Sequence, residues 1–518
     1  MRPGAQGGGL RTIARKEHVL APGMLRQFFK DSTVYAAGNI ISRGISLLLL
    51  PFYTRVFSPT DYGIIDILTV FATLVNVTIA LEISQGVARY FPDATTQAEK
   101  IAYASTALWF TVGMYTLFVV VAYIATPVLT PWLLQGQGHE ALLRVVILSL
   151  WGNGIFYLAQ NQLRWQLQST LYAIANLTFT LATISMTILF VLGLHLGILG
   201  FFYGQLVGSM LGAILALYFA RHSYRFVFDR AKQTDMLRFS IPLVPSSIAV
   251  FIAAYMDRIA IQKLMSMADV GLFGVGYRLA SVISLVMVGF QGALIPLVLT
   301  HYREPGTPAE LARIFRYFLA LALLIFLGLS VFSREILALF TTQDYYAASD
   351  VLPLLVPAVL LSGMYIFAPG LTITKNTKAF GIVNLMAALL NVILNFALIP
   401  YLGITGAALA TLTSAFGAFA ALMIKSQKVY LVPHNWKRII GSLLPIVVLV
   451  GGNEVISRST QLVSVPFILW PLKSVIVLCG VALVSCILIG QQEVRAVVRR
   501  LKRTCRLGMP GRVGKLPS

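Results

Sequence analysis

Read for apolar and polar positions, the chain is a series of apolar runs of about 20 residues divided by short polar breaks. That is the length a helix needs to cross a hydrocarbon layer of about 30 Å. Runs such as Ile101 to Ile124 and Leu171 to Leu194 carry no charge and are largely apolar on every helical face. A transmembrane barrel would alternate apolar and polar residues over about ten positions, and no such alternation occurs. The pattern predicts 14 transmembrane helices, at 32–53, 62–86, 101–126, 142–162, 170–193, 197–220, 240–263, 270–298, 312–333, 351–373, 379–400, 403–424, 436–456 and 467–490. The breaks hold the expected turn formers, among them Ser58-Pro59-Thr60-Asp61, Pro127, Gly136-Gln137-Gly138, Pro305-Gly306 and Pro433.

The run of helices contains a repeat. Thr54 to Ile67 (TRVFSPTDYGIIDI) aligns with Gln262 to Val275 (QKLMSMADVGLFGV), so Ser58, Asp61 and Gly63 match Ser266, Asp269 and Gly271 at an offset of 208. Leu196 to Gly200 (LGILG) matches Leu402 to Gly406 (LGITG) at an offset of 206. Both matches link breaks six helices apart, which preserves orientation and predicts two parallel six-helix repeats with a site between them. The expected organisation is an N-tail at 1–31, helices 1–6 at 32–220, a linker at 221–239, helices 7–12 at 240–424, helices 13 and 14 at 436–490, and a tail at 491–518. The fold class is thus an all-α polytopic membrane protein.

Composition agrees. Hydrophobic residues make up 58% of the 518 positions and charged residues only 11%, with a mean hydropathy of +0.81; a soluble domain carries about 25% charged residues. The net charge of +21 raises nucleic acid as a partner, but nucleic-acid binders gather Lys and Arg on one face or in one domain. Here they fill the breaks. Of 40 Lys and Arg, 31 fall on the side of the termini, 5 on the opposite side (Arg55, Arg144, Lys263, Arg334, Arg458), and 4 within helices (Arg43, Arg258, Arg278, Lys473). The positive-inside rule therefore predicts a cell inner membrane protein with both termini cytoplasmic, and excludes nucleic acid. The first apolar run lacks a cleavage site and is expected to stay as helix 1. In the tail, Val494, Val497, Val498 and Leu501 share one helical face among Arg495, Arg499, Arg500, Lys502 and Arg503, which reads as a basic amphipathic helix on the inner leaflet or as a topogenic tail.

No phosphate-binding GxxxxGK[ST] loop, HExxH or GxSxG occurs. Cys479, Cys486 and Cys505 form no CxxC pair, so no disulfide framework, zinc site or other cofactor is implied. The chemistry lies in charges inside helices, which normally face a cavity or a partner. Arg43 in helix 1 and Arg278 in helix 8 are candidates for contact with an anionic substrate, or for an inter-helix ion pair. Arg258 joins them. Its neighbour Asp257 is a candidate for a coupling cation or proton, or a counter-ion for Arg278. Glu82 and Arg89, near the inner end of helix 2, are candidates for ion coupling and substrate binding, or a structural salt bridge with each other. Lys375 and Lys378 close helix 10, with Lys375 a candidate substrate contact or a topological anchor. Lys473 is near enough to the outer end of helix 14 to snorkel. Asn391 and Asn395 share a face of helix 11 as helix–helix glue, and Pro369-Gly370 should break helix 10.

Several segments resemble one family. Leu49 to Gly63 (LLPFYTRVFSPTDYG), Gln85 to Phe91 (QGVARYF), Asp257-Arg258 followed by Val270 to Phe273 and Tyr277-Arg278, and Asn391 to Thr411 (NVILNFALIPYLGITGAALAT) resemble the Wzx-type polysaccharide and O-antigen flippases of the multidrug/oligosaccharidyl-lipid/polysaccharide exporter superfamily. The resemblance covers about residues 30 to 425. It implies two six-helix lobes forming a V around a central cavity, with two further helices. It also implies ion-coupled export of a polyprenyl-diphosphate-linked oligosaccharide for lipopolysaccharide O-antigen or other surface polysaccharide, beside polymerase and ligase machinery. Arginine suits a diphosphate because its guanidinium bonds two oxygens at once. The alternatives are a cation-coupled drug antiporter of the same superfamily, a membrane glycosyltransferase or polymerase, and a scaffold of the same fold. The drug reading favours an anionic cavity, the enzyme reading longer outward loops with carboxylates, and the scaffold reading no intramembrane charge.

Overall fold

The computed structural model describes residues 44–45, 48–134, 138–374, 377–459 and 470–489. The expected N-tail, most of helix 1 and the expected amphipathic tail lie outside these residues. Every regular element described is helical, because a chain in hydrocarbon must satisfy its backbone hydrogen bonds within each segment or in a closed barrel.

Eleven helices among the described residues are long and apolar enough to cross a membrane, or twelve if the bent pair Gln343–Asp350 and Leu352–Phe367 counts as one span. The protein is thus a multi-pass membrane protein; the described residues, which leave out most of the expected helix 1, do not confirm the count of 14. One of the eleven holds two expected helices. Thr377–Val429 is 53 residues long, about 80 Å as one helix and far beyond the bilayer core. At Gly403 the backbone leaves the helical region (φ 58, ψ −141), a conformation that favours glycine. Asn391 Nδ2 donates to Ser414 Oγ at 3.3 Å across that break. Residues 23 positions apart on one straight helix could not touch, so the segment folds back as an antiparallel hairpin holding the expected helices 11 and 12.

Other expected helices are interrupted, helix 8 by a 3-10 turn at Ser281–Ile283. Helix 2 divides into Pro59–Thr78 and Ile83–Tyr90, with Leu81 and Glu82 both at positive φ. Helix 10 gives way to a 3-10 turn at Met364–Phe367 and resumes at Pro369–Ile373, as Pro369 predicts. The expected linker folds into the Arg230–Ser240 helix, capped by Asp229, whose side chain accepts from the Ala231 and Lys232 amides at 2.9 and 3.2 Å. Its Met236 is buried against Gly86, which ties the linker to the inner part of helix 2.

The two repeat-matched segments start helices in the same way. Ser58 caps Pro59–Thr78, accepting from the Asp61 amide at 3.2 Å while Asp61 accepts from the Ser58 amide at 3.0 Å. Ser266 caps Met267–Ala280, accepting from the Asp269 amide at 3.2 Å. The two helices cross where the repeat places glycine. A Cβ at Gly63 would run into the Met267 carbonyl, and one at Gly271 into the Pro59 carbonyl. Each helix lays backbone on backbone at the equivalent residue of the other, the close approach that small residues permit in membranes.

Candidate functional site

Further contacts between the two parts of the chain gather where Pro59–Thr78 and Met267–Ala280 begin. The Thr54 hydroxyl donates to the Phe340 carbonyl at 3.2 Å, that of Thr342 to the Thr54 carbonyl at 3.3 Å, and that of Tyr345 to the Phe57 carbonyl at 2.8 Å. Gln262 Nε2 donates to the Leu133 carbonyl, and Lys263 Nζ to the Trp132 carbonyl at 3.4 Å.

Beneath this layer lies a buried charge cluster. Arg258, on Val244–Leu264, donates from Nη1 to Asp257 Oδ1 at 2.8 Å and to the Ala254 carbonyl at 3.2 Å. Its Nε donates to Asp66 Oδ2 at 3.3 Å, on Pro59–Thr78. Asp66, Asp257 and Arg258 are 8%, 3% and 3% exposed. The guanidinium also lies over the Tyr277 ring, 4.2 Å from its centroid. Two carboxylates and one guanidinium leave the cluster with a formal charge of −1, and Arg258 is committed to it. Asp66 lies seven residues past Pro59 and Arg258 six before Leu264, so both are about 10 Å from the same ends of their helices.

Arg278 differs. It lies eleven residues past Met267, with its Cα about 16 Å along that helix. It is partly buried, its guanidinium carbon is 4.9 Å from the Tyr62 ring centroid, and no described carboxylate lies within ion-pair distance. Of the charges the sequence singled out, it is a deep cation with no carboxylate in direct contact among the described residues, although Asp66 of the nearby cluster acts on its charge from a distance.

Other expectations separate. Asp257 pairs with its neighbour Arg258 rather than with Arg278. Glu82 and Arg89 form no pair. Glu82 begins the second half of helix 2 in a left-handed conformation, and Arg89 pairs with Asp93 one turn on. Arg89 is exposed, and the hydrogen-bonded Asp93 carboxylate raises its already high pKa. Lys473 does not snorkel. The short Ser333–Phe340 helix brings Glu335 to it, and the two form a buried ion pair at 2.7 Å. Asn391 and Asn395 act as expected, with Asn395 Nδ2 donating to Asn391 Oδ1 at 2.9 Å. Arg43 and Lys375 lie outside the described residues.

The sequence reading missed Asp66. It stands inside the expected helix 62–86, so a search for every carboxylate within a span would have found it. Tyr62 and Tyr277, the ring partners of Arg278 and Arg258, stood in the segments that carry the family resemblance but were not singled out as site residues.

A cavity of about 970 Å³ opens beside the cluster, between the helices around Ala254, Ser362, Asn384 and Ser414. Asp257 and Tyr277 line it, as does Lys378. Its walls are otherwise mostly apolar. No group of three or more His, Cys, Asp or Glu among the described residues could hold a metal ion.

A family profile described as "Polysaccharide biosynthesis protein" matches residues 28–300. Among curated proteins, a Haemophilus influenzae protein of the Lsg locus is 25% identical over 285 residues, which are 52% of this chain and 65% of that protein. A second Haemophilus influenzae protein, an uncharacterized membrane protein, is 24% identical over 53% of this chain and 66% of its own length. The chain therefore spans just under two thirds of these relatives. Among solved structures, the lipid II flippase MurJ in an inward closed conformation superposes with a TM-score of 0.67 at 16% identity, covering 88% of this chain and 98% of that one. A multidrug resistance MATE family transporter of the MOP superfamily, inward-facing, gives 0.57 at 15% identity, covering 77% and 95%. At such identities the likeness is one of fold.

Proposed function

Because the chain belongs to the polysaccharide biosynthesis protein family, we propose that it is a flippase carrying a polyprenyl-diphosphate-linked oligosaccharide across the cell inner membrane for surface polysaccharide such as O-antigen. The observation that carries this reading is Arg278. A guanidinium deep in the membrane, beside a tyrosine ring and without a carboxylate partner among the described residues, is a ready contact for a diphosphate. The prenyl tail stays in lipid while the charged head crosses. The fold shared with a lipid II flippase supports the same class of cargo.

On this reading residues 32–220 and 240–424 form two lobes that expose the site alternately, with both termini cytoplasmic by the 31-to-5 split of basic residues. The closed layer at Thr54, Tyr345 and Gln262 then faces outward, and the site is open inward. Arg43 and Lys375 remain candidates for the substrate path, and Arg89 for its cytoplasmic mouth. Asp257 on the cavity wall, and Glu82, remain candidates for ion coupling. Polymerase and ligase machinery would take the product. The drug-antiporter reading is weaker, because Asp257 on the cavity wall is accompanied there by the cation of Lys378.

The test is Arg278→Ala and Arg278→Lys in a strain lacking the native copy, scored by surface polysaccharide at matched protein abundance. Alanine should abolish delivery. Lysine should restore part of it, as a point charge in place of a two-pronged donor. Normal delivery by the alanine variant would remove the diphosphate reading of this site.

A further inference from the structure

The repeat offset of 208 that pairs Gly63 with Gly271 also pairs Asp66 with Gly274. These two residues meet in space. A Cβ at Gly274 would lie 2.8 Å from Asp66 Oδ2. At this point of the crossing the two positions compete for one volume, and only one carries a side chain. The first helix fills the slot with a carboxylate and the second leaves it empty. The carboxylate then reaches across the crossing to Arg258, 192 residues away. No charge of the cluster has a counterpart at the offset: Asp257 and Arg258 correspond to Leu49 and Leu50.

We propose that Asp66 is the release residue of a gate, holding the two halves closed through Arg258 and letting go when the outer end opens. The two carboxylates around Arg258 are not equivalent. Asp257 is its neighbour on the same helix and accepts from both its backbone amide and its Nη1, each at 2.8 Å. That pair travels with its helix whichever way the halves lean. Asp66 is held by one 3.3 Å contact from the other half. Within the cluster, parting the helices breaks only this contact: Asp66 is released towards the opening, and Arg258 is never left as a lone buried cation, the state that makes breaking a buried pair costly. Gly274 is part of the device, since any side chain there displaces the carboxylate.

The inference rests on the alternating-access reading above but needs no substrate for its test. In a chain with Cys479, Cys486 and Cys505 replaced, Met267→Cys sets a single thiol in the closed layer, where Met267 is buried against the first helix. Intact cells are treated with a membrane-impermeant maleimide. The parent should label slowly. Asp66→Asn should label several-fold faster, and Gly274→Ala should do the same with every charge retained. The double variant should label no faster than Asp66→Asn, because both act on one contact. Labelling of both single variants at the parent rate would overturn the proposal. So would loss of Asp66→Asn, Gly274→Ala and Arg258→Lys alike from the membrane, which would assign the cluster to folding. A gate that responds as expected in a chain without a polysaccharide phenotype would overturn the substrate reading and leave this one standing.

Discussion

Two buried ion-pair sites stand out among the described residues, and they are built differently. Arg258 has two carboxylates, one on its own helix and one across the crossing between the repeat-matched segments. Lys473 has one, Glu335, on a short helix elsewhere in sequence. The Lys473 side chain is 5% exposed and that of Glu335 4%. Separating these two would leave a lone charge on each side in a low-dielectric interior. Separating Asp66 from Arg258 leaves the arginine paired. A one-to-one pair strands both charges on parting and so acts as a fixed joint, whereas a two-to-one cluster strands only the released carboxylate and keeps its cation compensated. The difference fits where each is placed: the fixed joint fastens the last described helix, and the cluster spans the interface that transport would have to open.

The strongest way to break this comparison is to remove one member of the fixed joint. Lys473→Ala should destabilise the protein by about 3–5 kcal/mol, the range for stranding a buried charge. It should be visible as a large fall in abundance and in the unfolding midpoint in detergent. Replacing both partners, Glu335→Leu with Lys473→Met, should recover most of that loss, since an apolar pair of similar volume is often as stable as a buried ion pair. If the double variant is as unstable as the single one, Lys473 is not a simple joint. Asp66→Asn should cost less, about 1–3 kcal/mol, because an amide oxygen still accepts from Arg258 and Asp257 still neutralises it. Equal losses for Lys473→Ala and Asp66→Asn would erase the distinction between the two sites.

Much of the fold was legible because a membrane leaves the chain little choice. Each apolar run must satisfy its own backbone, so helix positions follow from the spacing of breaks, and Ser58, Asp61 and Gly63 announced the crossing partner through Ser266, Asp269 and Gly271. The partners of the charges were much harder to read. Which carboxylate meets Lys473 depends on a turn at Phe332 that starts the Ser333–Phe340 helix, and nothing near Lys473 in sequence encodes it. Arg89 looked back to Glu82, but the left-handed residues Leu81 and Glu82 interrupt the helix that would have carried that face, and Asp93 takes the arginine instead. Asp66 was legible in principle, as the one position of the repeat where a carboxylate faces a glycine. Finding it required applying the offset beyond the residues that match.

A partly buried titratable group, His434, shows the opposite case, with no partner for its ring nitrogens among the described residues. It stands in the break after Val429 and packs edge-on against Phe315 at 4.8 Å and Trp436 at 5.4 Å. Burial lowers its pKa to about 4, against an ordinary value of about 6.5. The sign follows from linkage. The folded ring stays neutral while the unfolded chain takes up a proton, so this residue costs stability as pH falls from about 6.5 towards about 4, with no further loss below both values. His434→Phe keeps the aromatic contacts and removes the titration. Its unfolding midpoint should therefore fall less between pH 7 and pH 5 than that of the parent. Carboxylates that titrate in the same range contribute to both proteins and cancel in the difference. An identical fall in the two would mean that His434 finds a partner for its proton, and that even this unpaired position behaves as Arg258 does, with compensation held in reserve.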